Sequence, residues 1–363
     1  MASTPIILLF GGSSPEHEIS IRSARNIYEA MDRNTYAIQL VGIAKNGQWY
    51  ALPDDFLPAG KSDIAAEGQP ICLVPGSQEA PIRYLDGKPF PRPEAVFCIN
   101  HGPFGEDGSL QGILRHLGLP FVGPDVLGSA VAMDKDVCKR LLREADLKVA
   151  EGLTFRYYEK DAIDYAAVRN RLGSPLFIKP ANMGSSVGVS KAENKAEFDA
   201  AVAEAFRYDH KIIVEEAIVG RELECAVLGN GQVATTSIGE VAMTQATDAE
   251  LYDYASKYLS DTAADILIPA PDLDNQTLAK LMLVAKNAYL ALECEGMSRV
   301  DMFLTEDGAV YVNEVNTLPG FTSISMYPKL WEQAGTPYNE LIDELIKLAI
   351  ERGKRTAKLE KSL

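Results

Sequence analysis

Two runs rich in β-forming residues flank Asp307–Gly308 in the segment SRVDMFLTEDGAVYVNEVN, which spans residues 298–316. Asp-Gly between such runs is the strongest short-range signal for a hairpin with a two-residue turn. A turn at these two positions fixes the strand register and places Asp301 directly opposite Glu314, with their Cβ atoms roughly 5 Å apart. This hairpin therefore constrains both the local fold and the chemistry that its surface can support.

The face that carries this carboxylate pair has two further polar side chains. Because side chains alternate along a strand, Arg299 shares the face of Asp301, and Asn316 shares the face of Glu314. Two opposed carboxylates repel each other unless a cation lies between them, and oxygen ligands of this kind suit Mg²⁺ that also binds phosphates. An adjacent guanidinium would hold a phosphoryl group or an oxyanion. The alternative is a solvent-facing hairpin whose charges only keep a strand edge soluble.

The composition is that of an ordinary globular protein, and it limits the classes of partner. Hydrophobic residues make up 47% and charged residues 24% of the 363 residues, which excludes disordered and collagen-like chains. The formal net charge of -16 argues against broad electrostatic binding to nucleic acid or to anionic lipid. Any phosphate that this chain binds must therefore be held by local cations.

The cysteines and the N-terminal region indicate the compartment. The five cysteines are widely spaced and lack a CxxC pair, so the sequence predicts neither a disulfide framework nor a zinc site. The apolar run Ile6–Phe10 has no basic residue before it and is too short for a signal peptide or a membrane span. We therefore expect a cytoplasmic protein that binds neither nucleic acid nor membrane.

Alternating strand and helix patterns in the first third of the chain predict an α/β unit with a parallel sheet. An apolar strand at residues 5–10 precedes an amphipathic helix, and a second strand-turn-helix unit starts near residue 95. Residues 53–93 are rich in Pro, Gly, Asp and Ser, and we expect inserted hairpins and loops there. From Ser129 onward the pattern changes to two smaller α+β units.

Two lysines and two glutamates outside the hairpin also suggest a site. Lys135 opens a predicted helix, and Lys179 ends the apolar run PLFIKP just before the loop ANMGSS. The amides and hydroxyls of this loop suit an anion, so the loop predicts a lid over phosphates. Glu215 could accept a hydrogen bond from an adenine amino group, and Glu222 from ribose hydroxyls. The alternatives, surface lysines and solvated glutamates, are commoner.

The sequence contains neither of two common nucleotide-binding motifs. GKS at residues 60–62 lacks the first glycine of a P-loop, and GGSSPE after the first strand is not GxGxxG. A nucleotide would therefore have to be bound in another way.

Eight segments, taken in order, resemble the ATP-grasp superfamily and, within it, the D-alanine:D-alanine ligases. They are GGSSPEHEIS, HGPFGEDGSLQG, MDK, FIKPANMGSSVGVSK, VEEAIVGRE, YDYASKYLS, SRVDMF and NEVNTLPGFTS, and the resemblance runs from about Ile6 to Ile350. It implies an α/β fold, α+β in part, with three domains. These are a Rossmann-like substrate domain at residues 1–130, a central ATP-grasp domain at 131–220, and a C-terminal domain with the metal site and a lid loop at 221–363.

The resemblance also implies roles for the residues at matching positions. Those assigned to ATP are Lys135, Lys179, Ser186, Glu215, Ile218, Glu222 and Lys257. Those assigned to the metal are Asp301, Glu314 and Asn316. Those assigned to the two D-alanines are Glu16, His101, Ser325 and, through its backbone, Met326. Those assigned to catalysis are Glu16, Ser185, Tyr258, Arg299, Gly320 and Ser325, with segment 243–264 as the lid.

The activity that this family implies is ATP-dependent ligation of two D-alanines for peptidoglycan precursor synthesis. The carboxylate of the first D-alanine attacks the γ-phosphate of ATP, and the amine of the second attacks the resulting acyl phosphate. The implied cofactors are ATP and Mg²⁺, with two ions expected and Mn²⁺ as a substitute. The implied assembly is a homodimer.

Three alternatives stay open at this stage. D-alanine:D-lactate ligases carry a histidine in a different local pattern at the position of Tyr258, so the KYLS pattern favours the dipeptide. Another ATP-grasp carboxylate-amine ligase would keep the ATP and metal residues but differ around Glu16, His101 and Ser325. A non-catalytic binding protein with two lobes would need neither Lys179 nor the carboxylate pair.

Overall fold

The computed structural model describes residues 3–243, 264–322 and 324–360 of the chain. Lys257, Tyr258 and most of the predicted lid segment lie outside these residues. Within the described ranges, fifteen strands form three separate sheets. The sheets use residues 4–98, 152–216 and 221–316. The exact domain boundaries stay predictions.

The strands and helices have the following bounds. The strands are β1 (Thr4–Gly11), β2 (Tyr36–Ile43), β3 (Trp49–Leu52), β4 (Gln69–Leu73), β5 (Ile82–Tyr84), β6 (Ala95–Cys98), β7 (Gly152–Arg156), β8 (Leu176–Pro180), β9 (Ser190–Ala192), β10 (Lys211–Glu216), β11 (Arg221–Gly229), β12 (Ala234–Met243), β13 (Ala264–Leu267), β14 (Gly296–Leu304) and β15 (Val310–Asn316). The α-helices are α1 (His17–Ala30), α2 (Ile64–Glu67), α3 (Ser109–His116), α4 (Val126–Met133), α5 (Lys135–Glu144), α6 (Tyr165–Leu172), α7 (Lys195–Ala205), α8 (Asn275–Ala291), α9 (Met326–Gln333) and α10 (Tyr338–Ala357). Among the described residues, no helix combines the length and apolar character needed to cross a lipid bilayer.

The first sheet has six strands in the order β5-β4-β3-β2-β1-β6. Strands β2, β1 and β6 are parallel, whereas β3, β4 and β5 are added in antiparallel fashion. The prediction of a parallel sheet is therefore confirmed for β2, β1 and β6, and the other three strands extend this sheet in antiparallel fashion. Segment 53–93 supplies β4 and β5, in line with the expected hairpins. Strand β1 is buried on both faces, which is why its sequence is a continuous apolar run.

Helices α1 and α10 cover one face of the first sheet. Along α1, Ile21, Ala24 and Ile27 recur at helical spacing and are buried. Helix α10 packs against helix α1 and against strand β6 of the first sheet. It also packs against strand β14 of the third sheet. Its fully buried Leu345 belongs to a core that contains residues from both sheets. The C-terminal helix therefore joins the first and third sheets.

The second and third sheets are antiparallel and form the walls of the candidate site. The second sheet has the order β7-β10-β8-β9 and is covered by α6 and α7. The third sheet has the order β13-β12-β11-β14-β15 and packs against α8. A loop at residues 181–189 joins β8 to β9. This loop and the β14–β15 hairpin carry most of the predicted phosphate and metal residues.

Leu345→Ala should lower the free energy of unfolding by about 2–5 kcal/mol, because truncating a fully buried leucine leaves a cavity in the shared core. Leu359→Ala is the matched control. Leu359 is 66% exposed, so its truncation should change stability by less than about 0.5 kcal/mol. Urea unfolding followed by circular dichroism measures both variants, and equal effects would contradict a core closed by α10.

Candidate functional site

Strands β14 and β15 have the predicted register at the end that carries the candidate metal ligands. Asp301 pairs with Glu314, and Arg299 pairs with Asn316. The prediction that the two carboxylates face each other is confirmed. Asp301 is buried, whereas Glu314 and Asn316 are half-buried.

The turn of this hairpin differs from the prediction. The N–H of Thr305 donates to the carbonyl of Ala309 at 3.0 Å, so residues 306–308 form a three-residue loop. The predicted two-residue turn at Asp307–Gly308 is therefore wrong. Gly308 has φ of +78°, the left-handed backbone that such a loop requires at this position.

A β-bulge at Asn313 restores the predicted register after this loop. Met302 pairs with Val312 while Asp301 pairs with Glu314, which leaves Asn313 without a partner across the strand ladder. The extra residue moves Glu314 back to the position opposite Asp301. Two departures from an ideal hairpin thus cancel, and the carboxylate pair depends on both.

Arg299 binds two carboxylates on this face. Its Nε and Nη2 each lie 2.7 Å from an oxygen of Asp301, and its Nε lies 3.0 Å from Glu224 Oε2. Burial alone would lower the pKa of Arg299, but the charges of Asp301 and Glu224 hold it well above its usual range. Asn316 Nδ2 donates to Asp301 Oδ2 at 2.9 Å. Glu224 pairs with Asp301 across β11 and β14, and the sequence analysis did not select it.

A cleft joins this hairpin to the second sheet and to a loop of the first. Its lining residues are Glu106, Ala132, Met133, Lys135, Cys138, Met183, Gly184 and residues 313–317. Lys135, Glu314 and Asn316 thus line one cavity. Burial lowers the pKa of Lys135, and the charge of Glu314 acts in the opposite direction.

Lys135 is fixed by the start of α5 and by the loop at residues 181–189. Asp134 caps the helix, since its Oδ1 accepts a hydrogen bond from the N–H of Val137 at 3.0 Å. Lys135 Nζ donates to the carbonyl oxygen of Met183 at 2.5 Å. The first residue of this helix is therefore held against the phosphate loop predicted from the sequence.

Glu215 is buried between two lysines. It is 1% exposed, its Oε2 lies 2.8 Å from Lys179 Nζ, and its Oε1 is paired with Lys139 Nζ. Burial alone would raise the pKa of Glu215, but the charges of Lys139 and Lys179 lower it to about 2. The expected hydrogen bond from an adenine amino group to Glu215 stays a prediction, and the structure adds that each carboxylate oxygen of Glu215 also faces a lysine. The sequence analysis missed Lys139, although it lies one helical turn after Lys135.

The other residues expected near the nucleotide base and ribose are more exposed. Ile218 is half-buried in the segment between β10 and β11, and Glu222 is half-buried at the start of β11. Burial alone would lower the pKa of Lys179. The negative charges of Glu215, Glu314 and Glu222 act in the opposite direction, and the pKa of Lys179 is raised. Lys179 therefore lies within the electrostatic reach of both the hairpin and β11.

The loop at residues 181–189 contacts the start of α1 through Ser185. Ser185 Oγ donates to Glu16 Oε1 at 2.5 Å, which is the predicted contact between these residues. Ser185 and Ser186 have φ of +51° and +57°, a left-handed conformation that is uncommon for residues other than glycine. Strained backbone of this kind clusters at ligand-binding loops. Tyr258, the expected third member of the set, lies outside the described residues.

His101 is buried beside the start of α1 and the loop after β15. Its Nε2 lies 3.1 Å from Ser23 Oγ, and its Nδ1 lies 3.1 Å from the carbonyl oxygen of Leu318. Glu106 Oε1 is 3.7 Å from Nδ1. Burial alone would lower the pKa of His101, but Glu106 outweighs this effect and the pKa is raised. The site therefore favours a cationic imidazole.

The residues expected to bind the second amino acid lie at the start of α9. Ser325 immediately precedes this helix, and its Oγ accepts a hydrogen bond from the N–H of Thr322 at 3.1 Å. A Cβ atom at Gly320 would lie 3.0 Å from Ser325 Oγ, so glycine permits this close approach. The side chain of Met326 is buried in the core, which leaves its backbone N–H as the group that could bind a ligand.

Two family models match the chain, D-ala D-ala ligase N-terminus over residues 5–124 and D-ala D-ala ligase C-terminus over residues 141–347. A D-alanine–D-alanine ligase from Shouchella clausii is 49% identical over 372 residues and covers 100% of this chain and 99% of that protein. The solved D-alanine-D-alanine ligase from Coxiella burnetii has a TM-score of 0.84 and 36% identity and covers 99% of this chain and 97% of that one. A solved D-Ala:D-Ser ligase from Enterococcus faecalis has a TM-score of 0.86 and 35% identity, covering 96% and 100% of the two chains.

Glu106→Gln should lower the pKa of His101, because the neutral amide no longer stabilises the imidazolium. Because the pKa of His101 is higher in the folded than in the unfolded protein, its protonation stabilises the fold. This stabilisation is fully present at a pH below the unfolded-state pKa and is lost as the pH rises through the folded-state pKa. Carbon-13 NMR titration of the four histidines measures the change, and the other three serve as internal controls. An unchanged midpoint for His101 would contradict this account of its charge.

Proposed function

Because the chain belongs to the D-alanine–D-alanine ligase family, we propose that it joins two D-alanines into D-alanyl-D-alanine while ATP is converted to ADP and phosphate. The observation that carries the proposal is the cleft lined by Lys135, Glu314 and Asn316, which adjoins the loop where Ser185 binds Glu16. It combines cations for phosphates, oxygen ligands for a metal and a carboxylate for an ammonium group. This ligation requires each of these groups.

The first step forms an acyl phosphate. A carboxylate oxygen of the first D-alanine attacks the γ-phosphorus of ATP, and the bond between that phosphorus and the leaving oxygen of ADP breaks. Lys135 and Lys179 neutralise the charge on the phosphates, and Ser186 donates to them from the loop. Lys257 is the third cation that we assign to the nucleotide.

Two residues orient the first D-alanine for this attack. Glu16 accepts hydrogen bonds from its ammonium group, and Ser185 fixes the position of the Glu16 carboxylate through their 2.5 Å hydrogen bond. His101 contributes positive charge near the carboxylate end, which agrees with its raised pKa. The glycine at position 102 keeps this region open, since a Cβ there would lie 2.4 Å from Glu16 Oε2.

The donor set on the hairpin fits a divalent cation that prefers oxygen. No group of three or more His, Cys, Asp or Glu side chains in the described ranges is arranged for metal binding, so an ion here would also depend on the amide oxygen of Asn316. Asp301, Glu314 and Asn316 together supply the hard oxygen donors that Mg²⁺ takes in phosphate sites. Bound Mg²⁺ would neutralise phosphate oxygens. We retain the expectation of two ions, with Mn²⁺ able to replace Mg²⁺.

The second step forms the peptide bond. The amine of the second D-alanine, once deprotonated, attacks the acyl carbon, and the bond from that carbon to the phosphate oxygen then breaks. Arg299 and the N–H of Gly320 stabilise the oxyanion that forms on the way. Ser325 and the N–H of Met326 hold the carboxylate of the second D-alanine at the start of α9, where a helix favours anions.

The proposal also includes closure of the site, an assembly and a compartment. An acyl phosphate is hydrolysed by water, so the site must be closed during the reaction, and we assign this role to segment 243–264 and Tyr258. We further propose a homodimer in the cytoplasm. The dipeptide would enter peptidoglycan precursor synthesis.

The relatives differ in their second substrate. The Shouchella clausii relative named as a D-alanine–D-alanine ligase is 49% identical, whereas the structure named as a D-Ala:D-Ser ligase is 35% identical. The higher identity favours D-alanine at both positions. D-serine and D-lactate are therefore competitors that the assay must include.

With ATP and Mg²⁺, the protein should release phosphate when D-alanine is the only amino acid and should yield D-alanyl-D-alanine by mass spectrometry. D-Serine, D-lactate and L-alanine are supplied singly and together with D-alanine. A mixed product formed in preference to the dipeptide would move the assignment to a ligase with a different second substrate. No phosphate release in folded, Mg²⁺-loaded protein would overturn the D-alanine assignment.

Glu314→Gln should abolish turnover, a loss of at least about 100-fold in kcat, because a neutral amide is a poorer ligand for a divalent cation at the phosphates. Glu306→Gln is the matched control, since Glu306 is exposed in the loop of the same hairpin. Steady-state phosphate release measures both variants, and circular dichroism checks the fold. Near-normal activity in Glu314→Gln would contradict the metal assignment.

A further inference from the structure

Lys139 is a buried cation that the proposed reaction does not use directly. It lies on α5, and its side chain is 2% exposed. Its Nζ is paired with Glu215 Oε1, while Lys179 Nζ lies 2.8 Å from Glu215 Oε2. One buried carboxylate therefore lies between two ammonium groups, of which Lys179, at 17% exposed, is the nearer to solvent.

This arrangement resolves a conflict over the ammonium group of Lys179. That group is paired with Glu215 in the structure, yet a nucleotide phosphate at the same place needs its positive charge. If Glu215 had only Lys179 as a partner, transfer of Lys179 to a phosphate would leave a buried carboxylate without compensation, which is strongly unfavourable. A second buried lysine paired with Glu215, which is Lys139, removes this obstacle.

The charge balance around Glu215 also indicates that Lys139 supports phosphate binding at Lys179. Lys179 and Glu215 alone form a neutral pair, whereas Lys139, Lys179 and Glu215 together carry one net positive charge. That net charge matters here because Glu222 and Glu314 also act on Lys179. The positive charge that Lys139 adds therefore reduces the repulsion that a polyphosphate meets beside these carboxylates.

We propose that Lys139 is a positioning residue that keeps Glu215 paired, so that Lys179 can give its charge to a nucleotide phosphate. The inference rests on the proposed function, because it requires a nucleotide at Lys179. It assigns Glu215 an electrostatic role toward Lys179. Lys139 acts through Glu215 and touches no substrate.

The test uses full-length Lys139→Met and Lys139→Arg, titrated calorimetrically with adenylyl imidodiphosphate and Mg²⁺. Lys139→Met should weaken binding about tenfold, which corresponds to about 1.4 kcal/mol. In the ligation assay it should raise KM for ATP and leave KM for D-alanine within about twofold. Lys139→Arg, which keeps the charge, should restore most of the affinity.

Lys211→Met is the matched control for the loss of a buried lysine. Lys211 lies on β10, the same strand as Glu215, and is paired with Asp134 and Asp136. Its replacement should lower thermal stability in the same way but weaken binding of the analogue less than Lys139→Met does, because it removes the partner of Asp134 and Asp136 and leaves Glu215 paired. Equal weakening in Lys211→Met and Lys139→Met would show a general effect of the lost lysine and would overturn the proposal.

A double variant tests whether Lys139 acts through Glu215. When Glu215→Gln has removed the buried charge, the added change Lys139→Met should have little further effect on binding. An undiminished effect in that background, or wild-type affinity in Lys139→Met, overturns the proposal. This comparison also decides the matter if Lys139→Met alone fails to fold.

The same titration separates the two proposals. Wild-type protein that binds the analogue but forms no dipeptide would contradict the D-alanine assignment, and the binding data would still decide the role of Lys139. Wild-type protein that does not bind the analogue would overturn both.

Discussion

Buried charges on different elements balance one another around the cleft. Glu215 on β10 is held by Lys139 from α5 and by Lys179 from β8. Removing one partner of such a set leaves a charge without compensation in a medium of low polarity, so each element fixes the position of the others. Arg299 performs the same role between β14 and β11 through Asp301 and Glu224.

Local patterns predicted the parts of the site that depend on side-chain alternation. The pairing of Asp301 with Glu314 follows from strand periodicity once the register is known, and the register was correct. The prediction assumed a two-residue turn without a bulge. The structure has a three-residue loop and a bulge at Asn313, and together these give the same register. Asp-Gly is compatible with both loop lengths, and a bulge becomes visible only when the partner strand is in place.

Long-range contacts explain what the sequence did not reveal. The sequence analysis did not predict that Glu215, on an inner strand of the second sheet, has its carboxylate between two lysines from neighbouring elements. Glu224 became part of the site only through the pairing of β11 with β14. Single-residue patterns contain no information about such pairings. The assignments of Lys257 and Tyr258 stay predictions.

The shared core under α1 has a consequence for synthesis on the ribosome. This core contains residues from Ile6 to Ala349, so it draws on almost the full length of the described chain. At about 5–20 residues per second, the apolar face of the first sheet waits for tens of seconds before α10 has been made. In that interval α1 alone of the two helices covers this face, and the apolar surface left for α10 is a natural substrate for chaperones.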